Sequence, residues 1–320
     1  MKILINNNLT KEEKQKIFDT FPQDRFIDEP FNQQHINEAD VIIGNPSLDL
    51  HLNNPQLKAL LLNSAGSDSY CKEGILHQNT ILCNASGSYG KCLAEYTIGM
   101  MINVSKQFKH FTNLSNQGIW GKRIGGKEIY HSRVLIVGYG DIGHECAKRL
   151  KGFDCTVVGI KRRMMGLPQY LDELYTLDAL DEQLKLADYV IFSLPNSKET
   201  YHLMNKERLL MMKKDAILIN VGRGSAIDSQ ALVDVLNEGH LFGVGLDVVE
   251  EEPLPQDHPL WSIDRVMLTP HIAGSFSWNS VRDYFVDLII TNIQHLKNNE
   301  PLENVVDRTT GYRKETKYQS

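Results

Sequence analysis

Six short apolar runs recur through the middle of this 320-residue chain: RVLIVG, CTVVGI, DYVIFSLP, AILINVG, GVGLDVV and RVMLTP. Each is separated from the next by a stretch long enough for a helix. Parallel strands cannot be joined by a tight turn; they need a crossover of about a dozen residues or more, usually helical, so this spacing confines the segment to a parallel sheet covered by helices. The same alternation opens the chain, with candidate strands KILIN (2–6), DVIIG (40–44), KALLLNS (58–64) and TILCN (80–84). The expected fold class is α/β, with two doubly wound parallel sheets.

Length agrees with two domains, each large enough to bury its own core. Between the two strand series, residues 92–116 have few helix breakers and are expected to form one long helix bridging two lobes. A closing helix over about 279–297 carries its apolar stripe on Val281, Phe285, Leu288, Ile289 and Leu296. If that helix returns to the first lobe, the first domain is discontinuous, 1–97 plus 284–320, and the second spans 98–283. The tail, 307–320, is expected to be loosely held.

Composition narrows the function classes. A formal charge of −6 supplies no general field for nucleic acid or an anionic membrane. The N-terminus turns polar after Ile5 and no later apolar run approaches bilayer length, so a cytoplasmic protein with no membrane partner is expected. Five cysteines, with no CxxC pair, argue against a disulfide framework or a structural zinc site, and no metal is expected.

The run VLIVGYGDIG (134–143) ends a β-branched strand in Gly138, Gly140 and Gly143 and opens a helix. The glycine pattern alone is weak. Followed by a helix and a second strand at βαβ spacing, it describes a cradle for a dinucleotide pyrophosphate at a helix N-terminus. NAD-specific versions place an acid about 20 residues on, at the end of the second strand, to bind the adenosine ribose. Here that strand ends in Lys161, Arg162 and Arg163. A carboxylate repels a 2′-phosphate whereas a guanidinium binds it in bidentate fashion, so NADP(H) is the favoured cofactor, with NAD(H) as the second choice. The alternative reading is a solvated basic loop.

Three later strands each run into one functional side chain: INVGRGSAID (219–228) into Arg223, LDVVEEEPLP (246–255) into Glu252, and LTPHIAG (268–274) into His271. The planar fork of Arg223 suits a carboxylate, and Gly222 and Gly224 beside it permit close approach of a ligand. His271 is the residue type that exchanges protons near neutrality, and a carboxylate on its other nitrogen would stabilise the imidazolium. Taken alone, Glu252 belongs to an acidic run that solvent accommodates equally well; Pro253 and Pro255 argue instead for a defined loop.

These motifs, in order and at this spacing, resemble the D-isomer-specific 2-hydroxyacid dehydrogenases, a family that includes glyoxylate/hydroxypyruvate reductases, phosphoglycerate dehydrogenases and D-lactate dehydrogenases. The likeness runs from about 63 to 306 and is densest over 187–274. It implies a Rossmann nucleotide-binding domain inserted in a flavodoxin-like substrate domain, acting on a small-molecule 2-keto or 2-hydroxy acid. Arg223 is implied on the substrate carboxylate, together with the backbone amides of Ala65 and Gly66 in the SAGSD loop, and Glu252 with His271 as the acid/base pair. Further implied cofactor contacts are Asp141, Ile142, Pro195, Val221, Gly222, Arg223, Asp247 towards the carboxamide, His271 and Gly274. A homodimer paired through the nucleotide domains is also implied. Among the activities, reduction of glyoxylate or hydroxypyruvate comes first, with D-3-phosphoglycerate or D-lactate dehydrogenase as alternatives and a nucleotide-sensing corepressor as a distant one. The sequence departs from the family at His131 and Ser132, where glycine and lysine are common, and at the basic residues 161–163.

Overall fold

The computed structural model describes residues 1–164, 166–311, 313 and 314. The chain forms two compact units, one of Met1–Tyr89 with Ser275–Ser320, the other of Gly90–Gly274. The first begins with β1 (Lys2–Ile5), α1 (Lys11–Thr20), β2 (Arg25–Ile27), α2 (Gln33–Glu38), β3 (Val41–Ile43), β4 (Ala59–Leu61) and β5 (Ile81–Cys83). Its strands are all parallel in the order β2-β1-β3-β4-β5, the flavodoxin-like arrangement. Thr10 starts α1 with a reciprocal cap, its side chain accepting from the Glu13 amide at 3.2 Å while the Glu13 carboxylate accepts from the Thr10 amide at 2.7 Å.

The second unit continues with α3 (Gly90–Ser105), α4 (Phe108–Asn116), β6 (Arg133–Val137), α5 (Asp141–Leu150), β7 (Thr156–Ile160), β8 (Glu173–Tyr175) and α6 (Leu180–Leu186). Then come β9 (Tyr189–Phe192), α7 (Lys206–Met211), β10 (Ile217–Asn220), α8 (Ser229–Asn237), β11 (Gly243–Leu246) and β12 (Val266–Leu268). All its strands are parallel, ordered β12-β11-β10-β9-β6-β7-β8. Counted from β6, that is the Rossmann order with one strand added beyond it.

Period-2 alternation decides which residues each face buries. In β6, Leu135 and Val137 face one apolar layer with α6 and α8, while Val134 and Ile136 face another with α3 and α5. Both faces being covered, the strands are apolar throughout, which is why they were legible as uninterrupted runs. The closing helix α9 (Asn279–Asn298) belongs to the first unit, burying Phe285, Val286, Ile289 and Ile293 against Ile3, Ile5, Val41 and Ile43. Each such side chain contributes about 2 kcal/mol of transfer free energy.

The structure departs from the sequence reading in several places. The long helix expected over 92–116 is two helices, because the Ser105 carbonyl accepts from the Lys127 amide at 2.8 Å and Gln107 turns left-handed at φ 56°. The first of them starts at Gly90 and packs on α5, β10 and β11, so it lies wholly within the second unit. The units therefore part in sequence at Tyr89/Gly90 and Gly274/Ser275 rather than at 97/98 and 283/284. Edge strands β2 and β8, three residues each, were not anticipated. In the tail, Arg308 donates to the carbonyls of Leu76, His77 and Gln78, tying its first part to the fold, while Tyr312 and 315–320 lie outside the described residues.

Candidate active site

The glycine turn after β6 has the shape its sequence implies. Gly138 has φ +104°, and a Cβ there would lie 2.9 Å from the Ser193 backbone, so only glycine fits. A Cβ on Gly143 would come within 3.0 Å of the Gly138 oxygen and of Ile136, which is the close helix–strand packing the third glycine serves. Around Gly140, the N-cap of α5, the space is open. The first amides of a helix have no partner within it, so Asp141, Ile142 and Gly143 present donors at an open, electropositive end: an arrangement that fits a pyrophosphate. The Asp141 side chain, however, is turned onto α3, with its carboxylate against Gly90. That keeps its negative charge applied to another helix start. Lys161 is anchored through its amide to the Tyr175 carbonyl at 3.0 Å, and Arg162 and Arg163 are exposed beyond it at the end of β7. Pro195 accepts the Thr200 hydroxyl at 2.8 Å in the loop after β9.

At the ends of β10, β11 and β12 the chain builds a linked set of loops. Val221 is buried and continues the ladder to Phe192. The fully buried Asn220 accepts from the Gly222 amide at 3.1 Å and donates to the Arg223 carbonyl at 3.0 Å, fixing the turn that carries the guanidinium. Arg223 Nη1 donates back to the Gly222 carbonyl at 2.9 Å. Gly224 cannot carry a side chain, since a Cβ would fall 1.8 Å from the Val249 oxygen. The Arg223 loop and the Glu252 loop are thus in backbone contact.

Glu252 is held from two sides. Its Oε1 accepts from the Val249 amide at 3.1 Å and its Oε2 faces His271 Nδ1 at 2.7 Å. The tautomer that satisfies this contact puts a proton on Nδ1 and leaves Nε2 available to a ligand. The ring is about half exposed, at 52%. His271 itself sits in the left-handed region at φ 55°.

Asp247 maintains that conformation. Almost wholly buried, it accepts from the Thr269 hydroxyl at 2.7 Å, the Ile272 amide at 2.9 Å and the Ala273 amide at 3.0 Å. A carboxylate has about four acceptor positions, so one remains for a cofactor amide. Burial pushes the neighbouring Tyr96 phenol up, against a hydrogen bond with Thr269, and the Asp247 charge adds to the rise. Gly274 closes the segment as the last residue of the second unit.

Ala65 and Gly66 lie in the first unit, just beyond β4. The Ala65 carbonyl accepts from Asn84 and the Gly66 carbonyl from Ser64, at 2.7 and 2.6 Å. Among the described residues neither amide donates, which leaves both N–H groups for an anion. Sequence reasoning passed over a second group at the strand ends of the Gly90–Gly274 unit: Tyr201, His202, Asp228 and Glu250, brought together from three loops. TYH lies inside a stretch that was conspicuous as a block, but nothing in linear spacing pairs His202 with an acid so far along the chain.

The chain is similar to known proteins in both sequence and fold. Residues 98–273 match the family profile described as D-isomer specific 2-hydroxyacid dehydrogenase, NAD binding domain. The chain is 36% identical over 228 residues to a glyoxylate reductase of Thermofilum pendens, covering 69% of this chain and 67% of that protein. Among solved structures it is similar to a D-isomer specific 2-hydroxyacid dehydrogenase family protein of Aeromonas salmonicida, with TM-score 0.83 at 28% identity over 96% of this chain and 99% of that one. It is also similar to the NADPH-dependent glyoxylate/hydroxypyruvate reductase of Sinorhizobium meliloti, solved with NADP and sulfate, with TM-score 0.81 at 25% identity over 97% and 99% of the two chains.

Proposed function

Because the chain belongs to the D-isomer-specific 2-hydroxyacid dehydrogenase family, and so is an NAD(P)-dependent oxidoreductase, we propose that it reduces glyoxylate or hydroxypyruvate with NADPH. The observation that carries this reading is the His271–Glu252 pair at 2.7 Å, with the ring's other nitrogen open, on the same sheet edge as Arg223 and the glycine cradle.

When bound, the reduced nicotinamide supplies hydride to the keto carbon. Gly138, Gly140 and the first amides of α5 would hold the cofactor's pyrophosphate, with Ile142, Gly143, Pro195, Val221, Gly222 and Gly274 as further proposed contacts. Asp247 offers its remaining acceptor position to the carboxamide. Arg223 engages the substrate carboxylate and polarises the adjacent ketone; on the family likeness, the Ala65 and Gly66 amides are proposed as carboxylate donors. His271 gives the proton from Nε2 to the carbonyl oxygen as charge develops there, and recovers it in the reverse reaction. Glu252 holds the imidazolium at Nδ1 and stabilises it. Arg162 and Arg163 are assigned to the 2′-phosphate, supported by the absence of an acid at the end of β7. The relative from Sinorhizobium meliloti, with its bound NADP, supports the same preference.

A panel of 2-keto acids, with nicotinamide oxidation followed optically, tests the assignment. Glyoxylate and hydroxypyruvate should give the highest kcat/KM, and NADPH should exceed NADH by about tenfold or more, a preference worth roughly 1.4 kcal/mol. Equal values for the two cofactors, or no change on replacing Arg162 and Arg163 with alanine, would remove the NADP assignment; no turnover of any keto acid would remove the activity.

We also place the protein in the cytoplasm as a homodimer. Phe108 at the start of α4, and Ile119, Trp120 and Tyr130 between α4 and β6, are exposed, Trp120 completely so. Four large apolar side chains exposed within one short stretch of chain support an association surface there. No helix among the described residues is long and apolar enough to cross a membrane. Sedimentation should give twice the chain mass, falling to one on Trp120→Glu; a monomeric wild type would overturn the assignment.

A further inference from the structure

A second histidine–carboxylate pair stands on the same sheet edge as the first. His202 Nε2 lies 2.5 Å from Glu250 Oε1, and its Nδ1 faces Asp228 Oδ2 at 3.8 Å. Nε2 is thus engaged by Glu250, while Nδ1 is turned toward a second acid beyond hydrogen-bond distance. Glu250 is approached by two more donors, the Tyr201 hydroxyl and the Ser229 amide, each at 3.3 Å. The Tyr201 ring stacks on His202, 4.0 Å away and 14° from parallel. His202 takes φ +47°, and its amide donates to the Ser225 carbonyl at 2.8 Å. A lone surface ion pair is worth little. Here a backbone conformation that costs about 1 kcal/mol is held in place, and three loops end on one carboxylate.

Those loops carry the residues assigned to the reaction. Gly224, next to Arg223, touches the Val249 and Glu250 backbone. Val249 donates to Glu252, and Glu252 meets His271. Glu250 is therefore linked along the chain to Glu252 and across the backbone contact to the Arg223 turn. We propose that His202 and Glu250 are positioning residues that lock the loop after β11 onto the loops after β9 and β10, so that Glu252 meets His271 in one geometry. The inference rests on the reading of Glu252 and His271 as the acid/base pair.

The test compares His202→Ala, His202→Gln, Glu250→Ala and the double alanine variant with His271→Asn in the intact protein. Either single alanine should lower kcat about tenfold, since small misplacements of a reacting pair are costly. KM for NADPH should stay within about twofold of the wild-type value, because uniform binding is untouched. Because the reacting pair itself is displaced, the pH profile of kcat should change along with the rate. His202→Gln, whose amide still donates to Glu250, should restore most of the rate. The double variant should be no worse than either single, as expected of a coupled pair. Unchanged kcat and pH profile in His202→Ala, or a lowered Tm with the same kcat and pH profile, would overturn the proposal. His271→Asn separates the two claims. If it abolishes turnover while His202→Ala does not reduce it, only the positioning role falls; if it leaves turnover intact, the acid/base reading falls and takes the positioning role with it.

Discussion

The two edges of the seven-stranded sheet use the same device with different partners. Where strands begin, carboxylates join neighbours to one another. Asp188, just before β9, accepts from the Arg133 amide and from Lys213, both at 2.8 Å; Asp172, just before β8, accepts from the Val157 amide at 2.7 Å and from Lys151 at 2.5 Å. Where strands end, Asp247, Glu250 and Glu252 also accept backbone amides, but their side-chain partners are Thr269, Tyr201, His202 and His271. A lysine is a permanent cation near neutrality, so the first arrangement is a structural lock. A histidine exchanges its proton, so in the second arrangement the His271–Glu252 pair is suited to chemistry while His202 and Glu250 hold the loops that carry it. The difference teaches that the kind of donor facing an acid, more than the acid itself, marks the working edge.

Three measurements would break or sharpen that contrast. The largest effect belongs to His271→Asn, which keeps a donor for Glu252 but removes the exchangeable proton; kcat should fall on the order of 10³-fold with the fold intact. A loss below tenfold would remove the distinction between the edges. Next, Arg223→Lys replaces a fork by a point charge and should raise KM for the keto acid about tenfold or more, while NADPH affinity by calorimetry changes little. An unchanged KM would end the clamp role.

The smallest effect is expected at the opposite edge. Burial alone would raise the Asp188 carboxyl, but the Lys213 ammonium and the Arg133 amide more than reverse that, holding it below the usual carboxylate range. A depressed folded-state value gives stability that is present above the unfolded value, near 3.9, and is lost as pH falls through the folded one. Asp188→Asn should accordingly cost about 1–2 kcal/mol at neutral pH, with kcat unchanged. The Tm gap to wild type should close in strong acid. A fall in kcat, or a gap that persists at low pH, would show that the two edges are not functionally separate.

The sheets were legible because their strands are buried on both faces and read as continuous apolar runs, and the spacing between runs dictated helical crossovers. Arg223, Glu252 and His271 were legible for a related reason, standing where those runs stop. What escaped was whatever depends on one loop meeting another. Glu250 looked like a solvated member of an acidic run until His202, Tyr201 and the Ser229 amide were found around it. The break at Gln107 depends on Lys127 taking a helix carbonyl, and no propensity at residues 105–107 announces it. β2 and β8 were missed because three-residue edge strands, Arg25–Ile27 and Glu173–Tyr175, carry too short a pattern to stand out.

Gly90 and Asp141 form a pair whose consequence reaches beyond either position. A methyl group at 90 would lie 2.4–2.5 Å from the Asp141 carboxylate and would evict it. A side chain at 90 and the present Asp141 rotamer therefore exclude each other. The two sites are thus epistatic: a library that varies the glycine turn alone samples backgrounds in which 90 already dictates what 141 can be. A library that changes either position should therefore vary both, since the helix start at Gly90 and the helix start at Asp141 share one small volume.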